Sequence, residues 1–206
     1  MRIGILGGTF DPVHIAHLAI AEQAVQQLDL DKILFVPAWI APHKMEQPDG
    51  APAKDRTKHR LAMLQLATAG NPVFDLCEKE VERKGTSYTV DTIRELREQF
   101  GPQAELFLLI GGDNYAIFQF WREPDTIMDA CRIVVYMRPG SPAADISPPF
   151  ISLDGPQFGL SSSWLRKQCA ANNSIRYLVP EPVREYIEEH RLYAEASPPL
   201  NNTGEI

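Results

Sequence analysis

Four short, largely apolar runs recur along the chain and are separated by stretches with helical periodicity. The runs are RIGIL at 2–6, KILFV at 32–36, LFLLI at 106–110 and RIVVY at 132–136. Consecutive apolar residues without polar alternation are typical of strands that are buried on both faces of a sheet. This order of strands and helices predicts an α/β fold, a Rossmann-like, doubly wound parallel sheet with helices on both faces.

The rest of the chain divides into helices, one long loop and a polar tail. Helices are predicted over residues 15–28, 56–69, 89–100, 122–130, 161–170 and 181–190. The stretch 38–56 is rich in proline and is expected to be a long loop. We expect one domain over 1–193 and a disordered tail over 194–206, because SPPLNNTGEI has too little apolar content to pack.

Composition excludes several classes of function. The chain has 27 acidic and 20 basic residues, a net charge of −7, and so lacks the basic excess of a general nucleic-acid-binding protein. No apolar run reaches the roughly 20 residues that cross a bilayer. We expect no signal peptide, because Met1 and Arg2 lead directly into a strand-like run, and the three scattered cysteines form no CxxC pair. We expect a soluble, cytoplasmic protein without membrane or nucleic-acid partners, which can still bind a small anion where positive groups converge.

Three segments with glycine, proline and polar residues follow predicted strands. They are GGTFDPVHIAH at 7–17, PAWIAPHK at 37–44 and GGDNYAIFQFW at 111–121. Ligands of open parallel sheets bind outside the carboxyl ends of the strands, where the strand order reverses. We therefore expect the functional site to be built from these segments.

The first segment carries His14 and His17 at a predicted helix start. Gly7 and Gly8 allow backbone amides to approach a ligand closely, and free N–H groups at a helix start favour an anion. Residues three apart share a helix face, so both imidazoles can reach one group. The spacing leaves phosphate binding, a structural role and metal binding open, although no HExxH-type glutamate accompanies the pair. The surroundings favour phosphate, but neither a P-loop nor a GxGxxG motif is present.

A second hydroxyl-rich segment, GLSSSWLR at 159–166, precedes the predicted helix over 161–170. The plainer interpretation is a serine-capped helix. The alternative is a phosphate site, because helix-start amides, serine hydroxyls and a guanidinium are all phosphate donors.

These two segments resemble the HxGH and ISSTxxR signatures of the nucleotidyltransferase superfamily. Four more, VPAWIAPHK, KGTSYTVDTI, LIGGDNYAIFQFW and RYLVPEPVREYIEEHRLY, resemble the bacterial nicotinate-nucleotide adenylyltransferase family, so the similarity spans about residues 1–193. Ala16 stands in place of the signature glycine, and Ser163 in place of the threonine. The resemblance implies the nucleotidyltransferase fold.

The resemblance also implies an activity: transfer of the adenylyl group of ATP to nicotinate mononucleotide, giving deamido-NAD and pyrophosphate in NAD biosynthesis. The implied catalytic residues are His14, His17 and Arg166, at the ATP phosphates. The residues implied at ATP are Gly7, Gly8, Thr9, Phe10, His43, Lys44, Asp113, Arg138, Ser161, Ser162 and Ser163, and those at the nicotinate nucleotide are Tyr88, Thr89 and Trp121. Mg²⁺ is implied as the ion of Mg-ATP, held mainly by phosphate oxygens and water, with no dedicated protein metal site.

Several of these residues also have plainer interpretations. His43 and Lys44 fit a solvated charge pair, Asp113 fits a helix N-cap for 114–118, and a lone Trp121 fits a core aromatic. Tyr88 and Thr89 fall at a predicted helix start, where amides can receive the nicotinate carboxylate.

Three other functions remain open. A phosphopantetheine or other small-phosphate adenylyltransferase would share the fold, but SYTVDT and FQFW argue against it. An aminoacyl-tRNA synthetase fragment is suggested because HIAH also resembles the HIGH motif, but the short chain, the acidic balance and the lack of a KMSKS-like loop disfavour it. A non-catalytic nucleotide-binding regulator is favoured by Ala16 alone. The sequence does not give the oligomeric state.

Overall fold

The computed structural model describes residues 1–42, 56–140 and 146–194. The strands in these ranges are β1 (Arg2–Gly8), β2 (Lys32–Pro37), β3 (Phe74–Leu76), β4 (Glu105–Gly111), β5 (Arg132–Tyr136) and β6 (Ile151–Leu153). They form a six-stranded sheet in the order β3-β2-β1-β4-β5-β6, and every neighbouring pair is parallel. The doubly wound parallel sheet predicted from the sequence is confirmed.

Helices lie between most consecutive strands, and two more follow β6. They are α1 (Ile15–Leu28), α2 (Thr57–Thr68), α3 (Lys79–Arg83), α4 (Thr89–Phe100), α5 (Gly112–Ala116), α6 (Pro124–Ala130), α7 (Ser162–Ala170) and α8 (Glu181–Glu189), with a 3₁₀ helix at Phe118–Phe120. Within the described ranges, none of these helices combines the length and apolarity needed to cross a membrane.

Alternate residues of the four central strands, β1, β2, β4 and β5, face two different cores. On β4, Phe107 and Leu109 belong to a first core, while Leu106, Leu108 and Ile110 belong to a second. Helices α1, α2, α7 and α8 contribute to the first core, and α4, α6 and the 3₁₀ helix contribute to the second. Both faces of the sheet are therefore covered, which explains why the strands are apolar at consecutive positions.

Elements without a strong periodic signal were not predicted. The edge strands β3 and β6 have only three residues each, and α3 and α5 have five each. The helix predicted over 122–130 begins later, at Pro124. Most of the predicted proline-rich loop, 43–55, and nearly all of the predicted tail, 195–206, lie outside the described residues.

The order of the strands reverses beside β1. From β1 the chain builds outward through β2 to β3, and it then returns to place β4 against the other side of β1. The carboxyl ends of β1 and β4 therefore flank a crevice, which in open α/β sheets is where ligands bind.

Candidate active site

The loop from β1 to α1 is held by packing beneath it. Phe10 has a positive φ of 51° and is buried, with its ring edge-on to His17 at 4.9 Å between centroids. A Cβ added at Gly8 would lie 2.9 Å from the Phe10 ring, so a glycine is needed there. Phe10 was predicted to contact ATP. Its side chain is part of the core, so any contact with a ligand would be made by its backbone.

His14 and His17 lie together at the start of α1. His14 is the N-cap residue, the two rings stack at 3.7 Å between centroids, and the His14 backbone N–H donates to Nδ1 of His17 at 3.2 Å. An imidazole nitrogen that accepts a hydrogen bond carries no proton, so the proton of His17 is on Nε2. His17 is therefore held as an N–H donor.

His14 is buried and neutral. Burial, helped by the charge of Arg138, lowers the pKa of His14 to about 3. Its Nδ1 has no hydrogen-bond partner among the described residues. A neutral imidazole carries one N–H, which can donate to a phosphate oxygen.

An open cleft lies beside the histidines. Its walls include Ala16 and Arg138, and the segment that follows β6 closes its far side. The guanidinium of Arg138 bonds the Tyr136 hydroxyl at 3.1 Å and lies over that ring. Ala16, the residue that departs from the signature, thus lines this cleft.

The GLSSSWLR segment reaches the same loop. Ser161 is the N-cap of α7 and accepts the Trp164 N–H at 3.2 Å, so the serine-capped helix is confirmed. Ser162 donates to the Pro12 carbonyl at 2.8 Å, and Arg166 donates to the Asp11 carbonyl at 2.8 Å. Both signature-like segments therefore meet, because the start of α7 is bonded to the loop before α1.

The side chain of Asp11 joins two further segments to this loop. Arg56 donates to both of its carboxylate oxygens, at 3.1 and 2.5 Å, and the Tyr193 hydroxyl donates at 2.7 Å. Burial alone would raise the pKa of Asp11, but the hydrogen bonds from Arg56 and Tyr193 and the charges of Arg56 and Arg166 outweigh it, so this pKa is lowered. Fully buried Arg60 also supports the loop, with a bond to the Thr9 carbonyl at 2.7 Å.

Sequence reasoning missed this set of residues. Asp11 lies inside the first signature-like segment, and this position was the one sequence feature that could have indicated it. Arg56 and Tyr193 lie 45 and 182 residues away in sequence, and nothing local marks either as its partner.

A second group lies at the start of α4. Tyr88 is the N-cap residue and Thr89 the first helical residue, as predicted. Trp121 is half-buried against Phe118, at 5.3 Å between ring centroids, and both Tyr88 and Trp121 pack on the second core. Arg122 was not predicted, and its guanidinium lies 4.8 Å from the centre of the Tyr88 ring.

Asp113 lies at the carboxyl end of β4. The helix there begins at Gly112 with Gly111 at its N-cap, so the interpretation of Asp113 as an N-cap residue is wrong. The exposed carboxylate folds back over Gly111, where an added Cβ would collide with it. His43 and Lys44 lie outside the described residues.

Comparison with known proteins points to one family. The sequence profile of the cytidylyltransferase-like family matches residues 5–168. A Thermus thermophilus protein named as a probable nicotinate-nucleotide adenylyltransferase is 42% identical over 193 residues, covering 94% of this chain and 100% of that protein. A Salinibacter ruber protein of the same name is 40% identical over 197 residues, covering 94% and 98%.

The fold has a solved counterpart. The structure of Plasmodium falciparum nicotinic acid mononucleotide adenylyltransferase complexed with NaAD superposes with a TM-score of 0.72 at 19% identity. The superposition covers 93% of this chain and 97% of that one. At this identity the likeness concerns the fold alone.

The buried Asp11 cluster leads to a stability prediction. Asp11→Asn is expected to lower the free energy of unfolding by about 3 kcal/mol at pH 7, because an amide leaves Arg56 without a buried counter-charge. The matched control is Asp75→Asn, whose carboxylate forms an exposed pair with Lys32 at 2.8 Å and should cost less than about 1 kcal/mol. Urea unfolding of the three proteins measures both losses.

The same comparison has an expected pH dependence. Because the folded pKa of Asp11 is lowered, its contribution is fully present above the unfolded pKa of about 4 and is lost as pH falls through the folded value. The difference in the free energy of unfolding between wild type and Asp11→Asn should therefore be constant from about pH 5 to 7 and become smaller below about pH 4. Equal losses in the two asparagine variants would contradict this role of Asp11.

Proposed function

This chain belongs to the cytidylyltransferase-like family and, within it, to the nicotinate-nucleotide adenylyltransferases, and we propose that it joins ATP to nicotinate mononucleotide to form deamido-NAD and pyrophosphate. An oxygen of the mononucleotide phosphate attacks the α-phosphorus of ATP. The new P–O bond forms as the bond from the α-phosphorus to the bridging oxygen breaks, and the electron pair leaves with pyrophosphate. The observation that carries this assignment is the meeting of the two histidines with the Arg166 segment at one loop.

The triphosphate binds at the start of α1 in this proposal. The N–H of His17 and the imidazole of His14 meet phosphate oxygens, and the backbone of Gly7 to Phe10 lines the approach. A guanidinium carries several N–H donors, so Arg166 can hold the leaving phosphates while it remains bonded to the Asp11 carbonyl. Such fixed donors stabilise the charge that develops in the transition state.

Further positions extend the ATP site. Arg138 adds positive charge beside His14, and the Asp113 carboxylate is placed to accept from ribose hydroxyls. The hydroxyls and amides at the start of α7 lie next to Arg166. His43 and Lys44, outside the described residues, are assigned to the ATP phosphates by the family resemblance alone. The residues assigned to α7 are Ser161, Ser162 and Ser163.

The nicotinate nucleotide binds at the start of α4. The N–H groups that begin at Thr89 receive the carboxylate beside Tyr88, because α4 has twelve residues and its N-terminal N–H groups favour an anion. The N–H of Tyr88 itself donates to the Thr86 carbonyl at 3.1 Å. The guanidinium of Arg122 above Tyr88 adds positive charge to this site. Trp121 stacks on the pyridine ring.

Mg²⁺ enters this proposal as the ion of Mg-ATP, held mainly by phosphate oxygens and water. Mg²⁺ prefers oxygen ligands, whereas the described donors around the loop are mainly imidazole nitrogens, guanidinium groups and amides. The Asp11 carboxylate of this loop is already bonded to Arg56 and Tyr193. No group of three or more His, Cys, Asp or Glu suited to a metal occurs in the described part of the chain. When bound, the ion would supply positive charge to the triphosphate.

A cytoplasmic location is also part of the proposal. Cys77, Cys131 and Cys169 are all free thiols. Unpaired thiols, two of them buried as small core residues, are typical of proteins in a reducing compartment.

The reaction itself is tested by pyrophosphate release from Mg-ATP with one acceptor at a time. Nicotinate mononucleotide is expected to give the fastest release, nicotinamide mononucleotide slower release because it lacks the carboxylate, and phosphopantetheine none. Release with phosphopantetheine alone would keep the catalytic assignment and overturn the acceptor. ATP binding without release for any acceptor would favour the non-catalytic regulator.

The catalytic role of His17 predicts a loss of turnover. His17→Ala is expected to lower kcat by about 100-fold or more, since one fixed donor to the developing charge is removed. His190→Ala is the matched control, because this exposed histidine caps the end of α8, where it bonds the Tyr186 carbonyl at 3.0 Å and packs against His59. Steady-state kinetics measure kcat for both variants, and thermal midpoints check that both are folded. Near-normal turnover of His17→Ala would contradict the catalytic role.

The stacking role of Trp121 predicts a substrate-selective effect. Trp121→Ala is expected to raise the KM for nicotinate mononucleotide about tenfold, with the KM for ATP within about twofold, because one stacked ring contact is lost. Phe120→Ala serves as the control, since its neighbouring ring is 78% exposed. Equal rises for both substrates would count against stacking.

A further inference from the structure

Three polar side chains are buried beneath the start of α4, apart from the residues discussed so far. Glu80 of α3 and Ser87 are each 7% exposed, and Thr92 of α4 is 2% exposed. Burial raises the pKa of the Glu80 carboxyl, and hydrogen bonds from Thr92 and Ser87 oppose that rise. A charge-bearing residue is rarely placed in a core unless its partners fix a geometry.

The hydrogen bonds in this cluster have a defined direction. Thr92 donates to the Glu80 carboxylate at 2.6 Å and accepts from Arg83 at 3.0 Å. Ser87 also bonds the carboxylate and accepts the backbone N–H of Trp39 at 2.9 Å. Each hydroxyl has one proton, and because its oxygen already accepts an N–H, that proton is directed to Glu80. Glu80 is thus the common acceptor of two converging chains of bonds.

The Ser87 chain joins two segments that leave different strands. Besides the Trp39 bond, the Ser87 backbone N–H donates to the Ile40 carbonyl at 2.9 Å, and Ile40 pairs with Thr86 as a parallel bridge. Trp39 and Ile40 follow β2 and lead into the segment with His43 and Lys44. Ser87 immediately precedes Tyr88, the N-cap of α4. Any shift of Ser87 therefore moves the amides that start α4.

We propose that Glu80, acting through the Ser87 hydroxyl, is a positioning residue for the nicotinate-nucleotide site: it fixes the start of α4 against Trp39 and Ile40. This rests on the proposed function, because it concerns the substrate assigned to Tyr88 and Thr89. Glu80 does not touch the substrate. It sets where the helix-start amides stand, and so the affinity for an acidic pyridine nucleotide.

The chain contains a matched control for this role. Ser87→Ala and Thr92→Val each remove one hydroxyl that donates to the same buried carboxylate, so both remove one hydrogen bond to Glu80 and both should lower the thermal midpoint. Only Ser87→Ala cuts the connection to Trp39. A purely structural role predicts the same behaviour from both variants.

Two measurements on the full chain separate these cases. Hydrogen exchange without substrates is expected to show the Trp39 amide exchanging about tenfold faster in Ser87→Ala than in Thr92→Val, since one hydrogen bond is lost. In steady-state kinetics Ser87→Ala should raise the KM for nicotinate mononucleotide about tenfold, with kcat within about twofold, while Thr92→Val leaves that KM near wild type. Ser87→Thr keeps the hydroxyl and should restore the low KM.

The outcomes are distinguishable. If wild type is active and the two variants change the KM equally, or if Trp39 exchange rises while the KM stays constant, the positioning role of Glu80 is overturned and the proposed function stands. If wild type releases no pyrophosphate with nicotinate mononucleotide, the proposed function fails and the positioning role, which is defined for that substrate, fails with it.

Discussion

The carboxylate of Asp11 is the contact on which the geometry of the loop from β1 to α1 depends. It accepts hydrogen bonds from Arg56, just before α2, and from Tyr193, beyond α8, while Arg166 of α7 bonds the backbone carbonyl of the same residue. Segments up to 182 residues apart therefore meet at one position next to Pro12. Because a buried charge is tolerated only with its partners in place, the loop reaches this conformation only when all of these elements are packed.

This cluster also explains how a chain with a net charge of −7 can present a positively charged edge. The charges of Arg56 and Arg166 act on one carboxylate, and Arg138 lies close enough to His14 to lower its pKa. Positive charge is thus in excess around this loop, although the chain as a whole carries a net negative charge. Both signature histidines are neutral, so they supply directed N–H groups while the arginines supply the charge.

Features with local causes could be predicted from the sequence, and features with distant partners could not. The four apolar runs became β1, β2, β4 and β5, because central strands of a covered sheet must be apolar throughout. The edge strands FDL and ISL are too short to show a period. At the site, the helix starts at His14, Tyr88 and Ser161 follow from local motifs. The partners of Asp11 and Glu80 depend on how separate elements pack, which no local pattern records.

The two groups of site residues belong to different faces of the sheet, and this bears on how two substrates can be aligned. Helices α1 and α7 pack on the first core, whereas Tyr88 and Trp121 pack on the second. The ends of β1 and β4 lie between them. In the proposed reaction the triphosphate approaches from one face and the acceptor from the other, so the attacking and leaving oxygens lie on opposite sides of the α-phosphorus, as in-line displacement requires. In this proposal the alignment of the two substrates follows from the sheet. Asp11 and Glu80 each hold, against the sheet, the segment that binds one of the substrates.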